Sequence, residues 1–213
     1  MMVNLESLKE QVKQFKYIDY LRTLKSISEQ SWLSTHTPFR VFILRSYSAE
    51  MIEPVLKLSL IHEGYHPEFF WGDYNQYAQE ILDETSSLYT NKPDLILLLI
   101  RIEDLMPDLI WKYVEKNYRE WKKEIDHTID LLTQLFTTLS HKTSAQIIIQ
   151  NMSLPGIPYW GIYDAQDENS QSDLLQYFNK GIRKKYQYFQ PYIFGIIIIS
   201  SCGKVMRQFL NRN

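Results

Sequence analysis

Arg40 to Pro54 reads RVFILRSYSAEMIEP, and the fold turns on how this stretch is parsed. Val41 to Leu44 are consecutive apolar residues, β-branched and aromatic among them, and read as a buried strand. Arg45-Ser46-Tyr47-Ser48 follows. A helical pattern then runs from about Glu50 to Glu63, with Ile52, Leu56 and Leu60 on one face and Gly64 ending it. Several hydrolases present a nucleophile in this way, on a serine turn between a strand and a helix. A strand ending under a capped helix gives the same pattern. Capping asks only for a serine before a helix, so Ser48 reads first as an N-cap and Ser46 as a turn residue.

Outward from this stretch, apolar runs alternate with helical patterns. Glu68 to Trp71 reads as a second strand, with Gly72 and Asp73 opening a loop and Tyr77 to Leu82 a short helix. Leu95 to Ile100 is the clearest strand. From Pro107 a long helical pattern steps by threes and fours through Ile110, Val114, Trp121, Ile129 and Leu139. Ala145 to Ile149 reads as a fourth strand, Ser153 to Asp164 as a loop, Leu174 to Tyr188 as a helix and Ile193 to Ile199 as a fifth strand. Lys204 to Leu210 reads as a last helix. Strands without polar alternation belong to parallel sheets covered on both faces. The expectation is an α/β three-layer α/β/α sandwich on a five-stranded, mostly parallel, doubly wound sheet, flavodoxin-like in the order 2-1-3-4-5. It would occupy residues 36–213. An N-terminal helical segment, residues 1–35, would precede it, with Leu5, Leu8, Val12 and Phe15 at helical spacing.

Composition narrows the function classes. The 213 residues are 45% hydrophobic and 23% charged, which suits one globular domain with a sizeable core. A net charge of -2 gives no argument for nucleic acid or an anionic membrane as partner. Cys202 is the only cysteine, so no intrachain disulfide forms, in keeping with a reducing cytoplasm. The opening MMVNLESLKEQVK lacks the apolar core of a signal peptide, and the run near Ile193 to Ile199 is too short to cross a bilayer. The expected setting is cytoplasmic.

In doubly wound sheets the site forms beyond the carboxyl ends of the strands. Ser46 and Ser48 offer hydroxyls there, and Gly72, Asn75 and Asn151 offer donors for an oxyanion. The base is the weak point, because His36, His62, His66, His127 and His141 all fall away from the strands' carboxyl ends. Glu103 and Asp104 read as the acidic first turn of a helix rather than an acid/base pair. His62 and His66 have no Cys or Asp neighbour to complete a zinc set, and no glycine-rich phosphate loop is present. Arg183-Lys184-Lys185 reads as a solvated face that could also meet an acidic partner.

Three further pieces carry a family pattern. They are Gly72-Asp73-Tyr74-Asn75-Gln76-Tyr77 followed by Gln79-Glu80-Ile81-Leu82-Asp83; Ser86-Ser87-Leu88-Tyr89; and Lys92-Pro93-Asp94 entering a strand. Together they resemble the amino-terminal domain of FkbH-type proteins, and the likeness extends from about Arg40 onward. The resemblance implies an SGNH-hydrolase-like domain that is normally joined to a phosphatase-type domain of the haloacid dehalogenase superfamily. It also implies glyceryl or acyl transfer to acyl carrier protein in polyketide-type biosynthesis.

That phosphatase-type domain would need an Asp-x-Asp motif and magnesium. This chain has no Asp-x-Asp, so no cofactor is expected in it, and it reads as the first domain alone. The SGNH blocks are also eroded: the segment after the fifth strand, Ser200-Ser201-Cys202-Gly203, has neither Asp nor His. The expectation is a non-catalytic scaffold or carrier-protein docking module, inactive alone. Its partners would be acyl carrier protein or a separate phosphatase-type subunit, with Arg183, Lys184, Lys185 and Arg207 as contacts for an acidic carrier. The alternative is an SGNH-type serine esterase or acyl hydrolase using Ser46 or Ser48 with an atypical base.

Overall fold

Val41, Phe42, Ile43 and Leu44 are fully buried in the second half of β1 (Thr37–Arg45), whose first four residues are mostly exposed. The computed structural model describes residues 16–28, 33, 35–154, 156–186 and 192–195. It divides the chain into two units, and the division falls within β1. The smaller unit takes its described residues from Met1–Val41 and Ala49–Phe70, and the larger from Phe42–Ser48 and Trp71–Ile196.

In the smaller unit, α1 (Tyr17–Ser28) packs on α2 (Glu53–His62). Ile27, Leu58 and Ile61 form their buried contact, with Tyr20, Leu24 and Leu33 around it. Leu5, Leu8, Val12 and Phe15 of the expected N-terminal helical segment lie outside the described residues. α2 ends as expected at Gly64, whose φ of 90° favours a residue without a side chain. Its start differs from expectation. A 3-10 turn, Glu50–Ile52, precedes it, Ala49 holds that turn's N-cap position without a side-chain bond, and Ser48 is exposed. Ser48 is therefore not the N-cap. Pro54, in the first turn of α2, presets the helical φ and needs no N–H partner there. In β2 (Tyr65–Trp71), Tyr65 packs its ring on Phe39, and Glu68 pairs with Arg40.

The larger unit is α/β with parallel pairing. β3 (Leu95–Leu99) is buried throughout and runs parallel to β4 (Gln146–Gln150), with Leu95 opposite Gln146 and Leu98 opposite Ile149. β4 runs parallel to β5 (Tyr192–Gly195), with Ile147 opposite Tyr192. The strand order is β2-β1-β3-β4-β5. Four of these strands belong to the larger unit (β1 with its buried half), rather than the full five expected of one layer, because β2 lies in the smaller unit up to its last residue. The buried apolar strands follow the expected logic: a strand covered on both faces has no polar side to present.

The helix expected from Pro107 is broken. Pro107–Trp111 forms α6, Tyr113–Glu115 a 3-10 turn, and the long helix α7 begins only at Tyr118 and runs to Lys142. The reason is local. Asn117 Oδ1 accepts from the N–H groups of Arg119 and Glu120, and Glu120 Oε2 accepts from Asn117 N, a complete capping box. Periodicity carried across this break because Ile110 before it and Trp121 after it are both buried, although Val114, between them on the expected face, stands exposed. From Trp121 to Leu139 the expected face is buried. Near the chain's described end, α8 (Gln171–Tyr186) lies along α7. Gly181 permits that approach, since a Cβ there would come 2.5 Å from Ile129 Cδ1. Among the described residues no helix is long and apolar enough to cross a membrane. The expected helix Lys204 to Leu210 and the later part of the expected fifth strand lie outside the described residues.

Candidate functional site

The carboxyl ends of β1 and β3 meet at Ser46. Its N–H donates to Leu99 O at 2.9 Å, which carries the strand pairing one residue past β1. Its hydroxyl donates to Asp104 Oδ2 at 2.8 Å and accepts from Arg101 N at 3.0 Å. Arg101 in turn grips Asp104, with Nε 3.0 Å from Oδ2 and Nη2 3.3 Å from Oδ1. Asp104 sits in the one-turn helix α5 (Ile102–Leu105). The acidic first turn expected there is present, yet its second carboxylate is recruited into this network. That grip holds the Arg101 guanidinium pKa above its usual value. Ser46 itself has no exposed surface.

Around this knot stand further polar and aromatic groups. Arg101 lies 5.3 Å over the Tyr47 ring, and Tyr47 OH donates to Gln150 Oε1 at 2.7 Å, joining the ends of β1 and β4. Burial raises the Tyr47 pKa despite that bond. Tyr77 is raised too, by burial first and then by the Asp104 charge. Arg45 lies 4.9 Å from the Trp71 ring centre. Burial and hydrogen bonding thus stiffen the strand ends and leave Tyr47 and Tyr77 as neutral phenols.

The four catalytic candidates fare differently. Ser46 is enclosed, and its partners are a carboxylate and a backbone N–H. None of the histidines is bonded to it, as His62 Nδ1 lies 3.0 Å from Glu63 and His127 lines a shallow groove beside Pro107 and Trp121. Ser48 is exposed and has no hydrogen bond among the described residues. Asn75 takes a left-handed turn conformation, φ 56°, with its N–H donated to Arg45 O at 3.0 Å. That N–H is spent on the turn rather than offered to an oxyanion. Asn151 is half-buried, and its Oδ1 is enclosed without a partner among the described residues. No hydrogen bond links Asn75 or Asn151 to Ser46. Among the described residues no group of three His, Cys, Asp or Glu side chains is placed to hold a metal ion.

The motif after β2 turns out to be structural. Glu80, on α3 (Tyr77–Leu82), reaches the start of α4 (Ser87–Thr90): its carboxylate accepts from Ser87 Oγ at 3.2 Å and from Leu88 N at 3.3 Å. Ser86 Oγ donates to Glu80 O at 2.7 Å, and Tyr89 OH to Ile81 O at 2.6 Å. Asp83 accepts from the hydroxyl and N–H of Thr85, and these bonds, the hydroxyl's first, lower its pKa. Ile81 and Leu88 are fully buried beneath. A groove of about 600 Å³ runs over this knot, lined by Asp73, Tyr74, Gln79, Glu80 and Asp83.

Sequence reasoning missed the Ser46–Asp104–Arg101 network. Its one signal was a buried strand ending in serine opposite a second strand followed by Arg-x-x-Asp. Of the expected carrier contacts, Arg183 and Lys184 are exposed on α8, Lys185 is bound to Asp130 at 3.0 Å, and Arg207 lies outside the described residues.

The family model of the FkbH N-terminal domain matches residues 40–200. No curated protein matches the chain. Among solved structures, the chain is similar to the N-terminal part of a Bacteroides fragilis protein containing a phosphatase domain, complexed with Mg. The TM-score is 0.65 at 19% identity, over 92% of this chain and 48% of that one. The chain thus spans about half the length of that structure, and the likeness is one of fold.

Proposed function

The chain belongs to the FkbH N-terminal domain family, and we propose that it is a non-catalytic, SGNH-like scaffold or carrier-protein docking module. Its work would be linked to glyceryl or acyl transfer onto acyl carrier protein in polyketide-type biosynthesis. The observation that carries the reading is Ser46. A nucleophile must reach its substrate and hand its proton to a base. Ser46 has no exposed surface, and its hydroxyl is held between Asp104 and Arg101 N. The bidentate Arg101 contact occupies the same carboxylate that would have to act as base.

Phosphate chemistry with magnesium would belong to a phosphatase-type partner, for which the side chains described in this chain provide no metal site. An acidic carrier would dock on the basic end of α8 at Arg183 and Lys184, with Lys185 and Arg207 beside them as further candidates. Titration of the chain with acyl carrier protein at low salt tests this. Binding lost on R183E/K184E supports docking, and no binding by the unaltered chain refutes it.

The 2.8 Å Ser46–Asp104 contact favours one second reading, a serine esterase with Asp104 as an atypical base. Fluorophosphonate labelling abolished by Ser46→Ala would establish it. An unlabelled chain would remove it and leave the docking test standing.

A further inference from the structure

Half of the large apolar side chains that stand exposed among the described residues gather at one end of the larger unit. Ile157, Tyr159, Trp160, Ile162 and Tyr163 are 85, 48, 52, 79 and 67% exposed in the loop after β4 and its 3-10 turn, Gly161–Gln166. Trp111 and Val114 stand 67 and 51% exposed where α6 passes into α7. The two segments are fastened together from below. Gln171 Nε2 donates to Leu109 O at 2.7 Å, Gln171 Oε1 accepts from Tyr159 N at 2.9 Å, and Tyr113 OH donates to Asn169 O at 2.7 Å. Asp164, buried, accepts from Gln171 N at 3.0 Å and from Ser172 N at 3.3 Å, tying the turn to the start of α8. The loop is thus held rigidly with its apolar side outward. Exposed apolar side chains gathered on two segments that are hydrogen-bonded to each other, rich in Trp and Tyr, are the signature of a protein contact.

The charges around it choose the partner. From Asn151 to Asp173 the sequence has four acids and no Lys, Arg or His. Asp167 and Glu168 are exposed and have no ion pair. The first turns of α7 present Arg119 and Lys123, also exposed and without an ion pair. Lys112 and Lys116, by contrast, are already bound to Asp108 and Glu124. Acids and bases left unpaired on one surface can each meet the opposite charge on a second copy related by a two-fold rotation. An anionic lipid surface would meet the loop carboxylates with repulsion, and an acidic carrier likewise.

We propose that this end of the larger unit is a two-fold interface with a second copy of the chain. The apolar loops meet at its centre, and Asp167 and Glu168 of each copy face Arg119 and Lys123 of the other.

Sedimentation velocity of the full chain from low to high micromolar concentration tests it. The expected result is a monomer–dimer equilibrium, with the dissociation constant raised at least about tenfold by W160S/I162S. Both side chains are largely outside the core, and a far-UV spectrum checks folding. D167K/E168K and R119E/K123E should each weaken the dimer, and the four changes in one chain should restore it. A monomer at every concentration overturns the proposal. So does a dimer indifferent to W160S/I162S, or a monomer whose loop instead binds phosphatidylcholine vesicles.

Discussion

Ser46 and Asp104, fifty-eight residues apart in sequence, are joined by a hydrogen bond of 2.8 Å at the carboxyl ends of β1 and β3. The serine that looks most like a nucleophile by position is thereby a structural tie. Ser46→Ala would leave Arg101 N and one Asp104 oxygen without their buried partner. The expected loss is about 1–3 kcal/mol of stability, read by urea denaturation, with no change in fluorophosphonate labelling. Ser46→Thr keeps the hydroxyl but adds a methyl group to a site with no exposed surface. It should recover less than full stability.

Glu80 ties the family motif together, so Glu80→Ala should loosen α4 from α3. The expected cost is about 1 kcal/mol, typical of a lost helix-terminal acceptor. Tyr89→Phe removes the bond to Ile81 O and should cost about as much. Hydrogen exchange should show Leu88 N, the amide that Glu80 Oε2 accepts from, exchanging faster in Glu80→Ala than in Tyr89→Phe. Equal exchange in the two variants would count against the capping role.

An alanine Cβ at Gly181 would come 2.5 Å from Ile129 Cδ1, so the buried Ile129 side chain would have to shift. Replacing Gly181 by alanine gains up to about 1 kcal/mol in helix propensity. It also overpacks the α7–α8 contact at a cost of about 1–3 kcal/mol. Gly181→Ala should therefore be destabilising in the native background. In an Ile129→Val background, which removes the Cδ1 atom, the same change should become neutral or stabilising. A double-mutant cycle on melting temperature checks the sign reversal.

Tyr113 has its pKa pushed up to about 12, by burial first and then by Asp167 and Asp164. The sign follows from linkage. A phenol whose folded pKa lies above its unfolded value of 10.0 contributes stability in full below that value, and the contribution is lost as pH rises through the folded pKa. Stability should thus fall between about pH 10 and 12, and less steeply in Tyr113→Phe. Absorbance titration at alkaline pH should find a late-ionising tyrosine in the native chain that is missing from the variant.

What was legible in the sequence follows from local rules. Val41–Leu44, Leu95–Leu99 and Ile147–Ile149 could be read as strands because a strand buried on both faces must be apolar at every position. Gly64 announced the end of α2 because its backbone conformation excludes most side chains. The start of α7 was misplaced because periodicity is blind to a break flanked by buried residues, here Ile110 and Trp121. The Asn117–Glu120 capping box was written in the sequence and outweighs it. Ser48 was misread because a cap depends on where the helix axis begins, and a 3-10 turn moved that point beyond it.

By itself, then, the sequence determined the alternation of buried strands and amphipathic helices, and the motif that marks the family, since both are periodic or contiguous features. Only the tertiary structure decided what those residues do. It brought Asp104 and Arg101 to Ser46, made Glu80 a helix-terminal acceptor, and left Trp160 and Ile162 facing outward. The physical reason is that a hydroxyl or carboxylate takes its role from the partner within hydrogen-bond reach. That partner is chosen by strand order and helix packing across tens of residues, which no local pattern encodes.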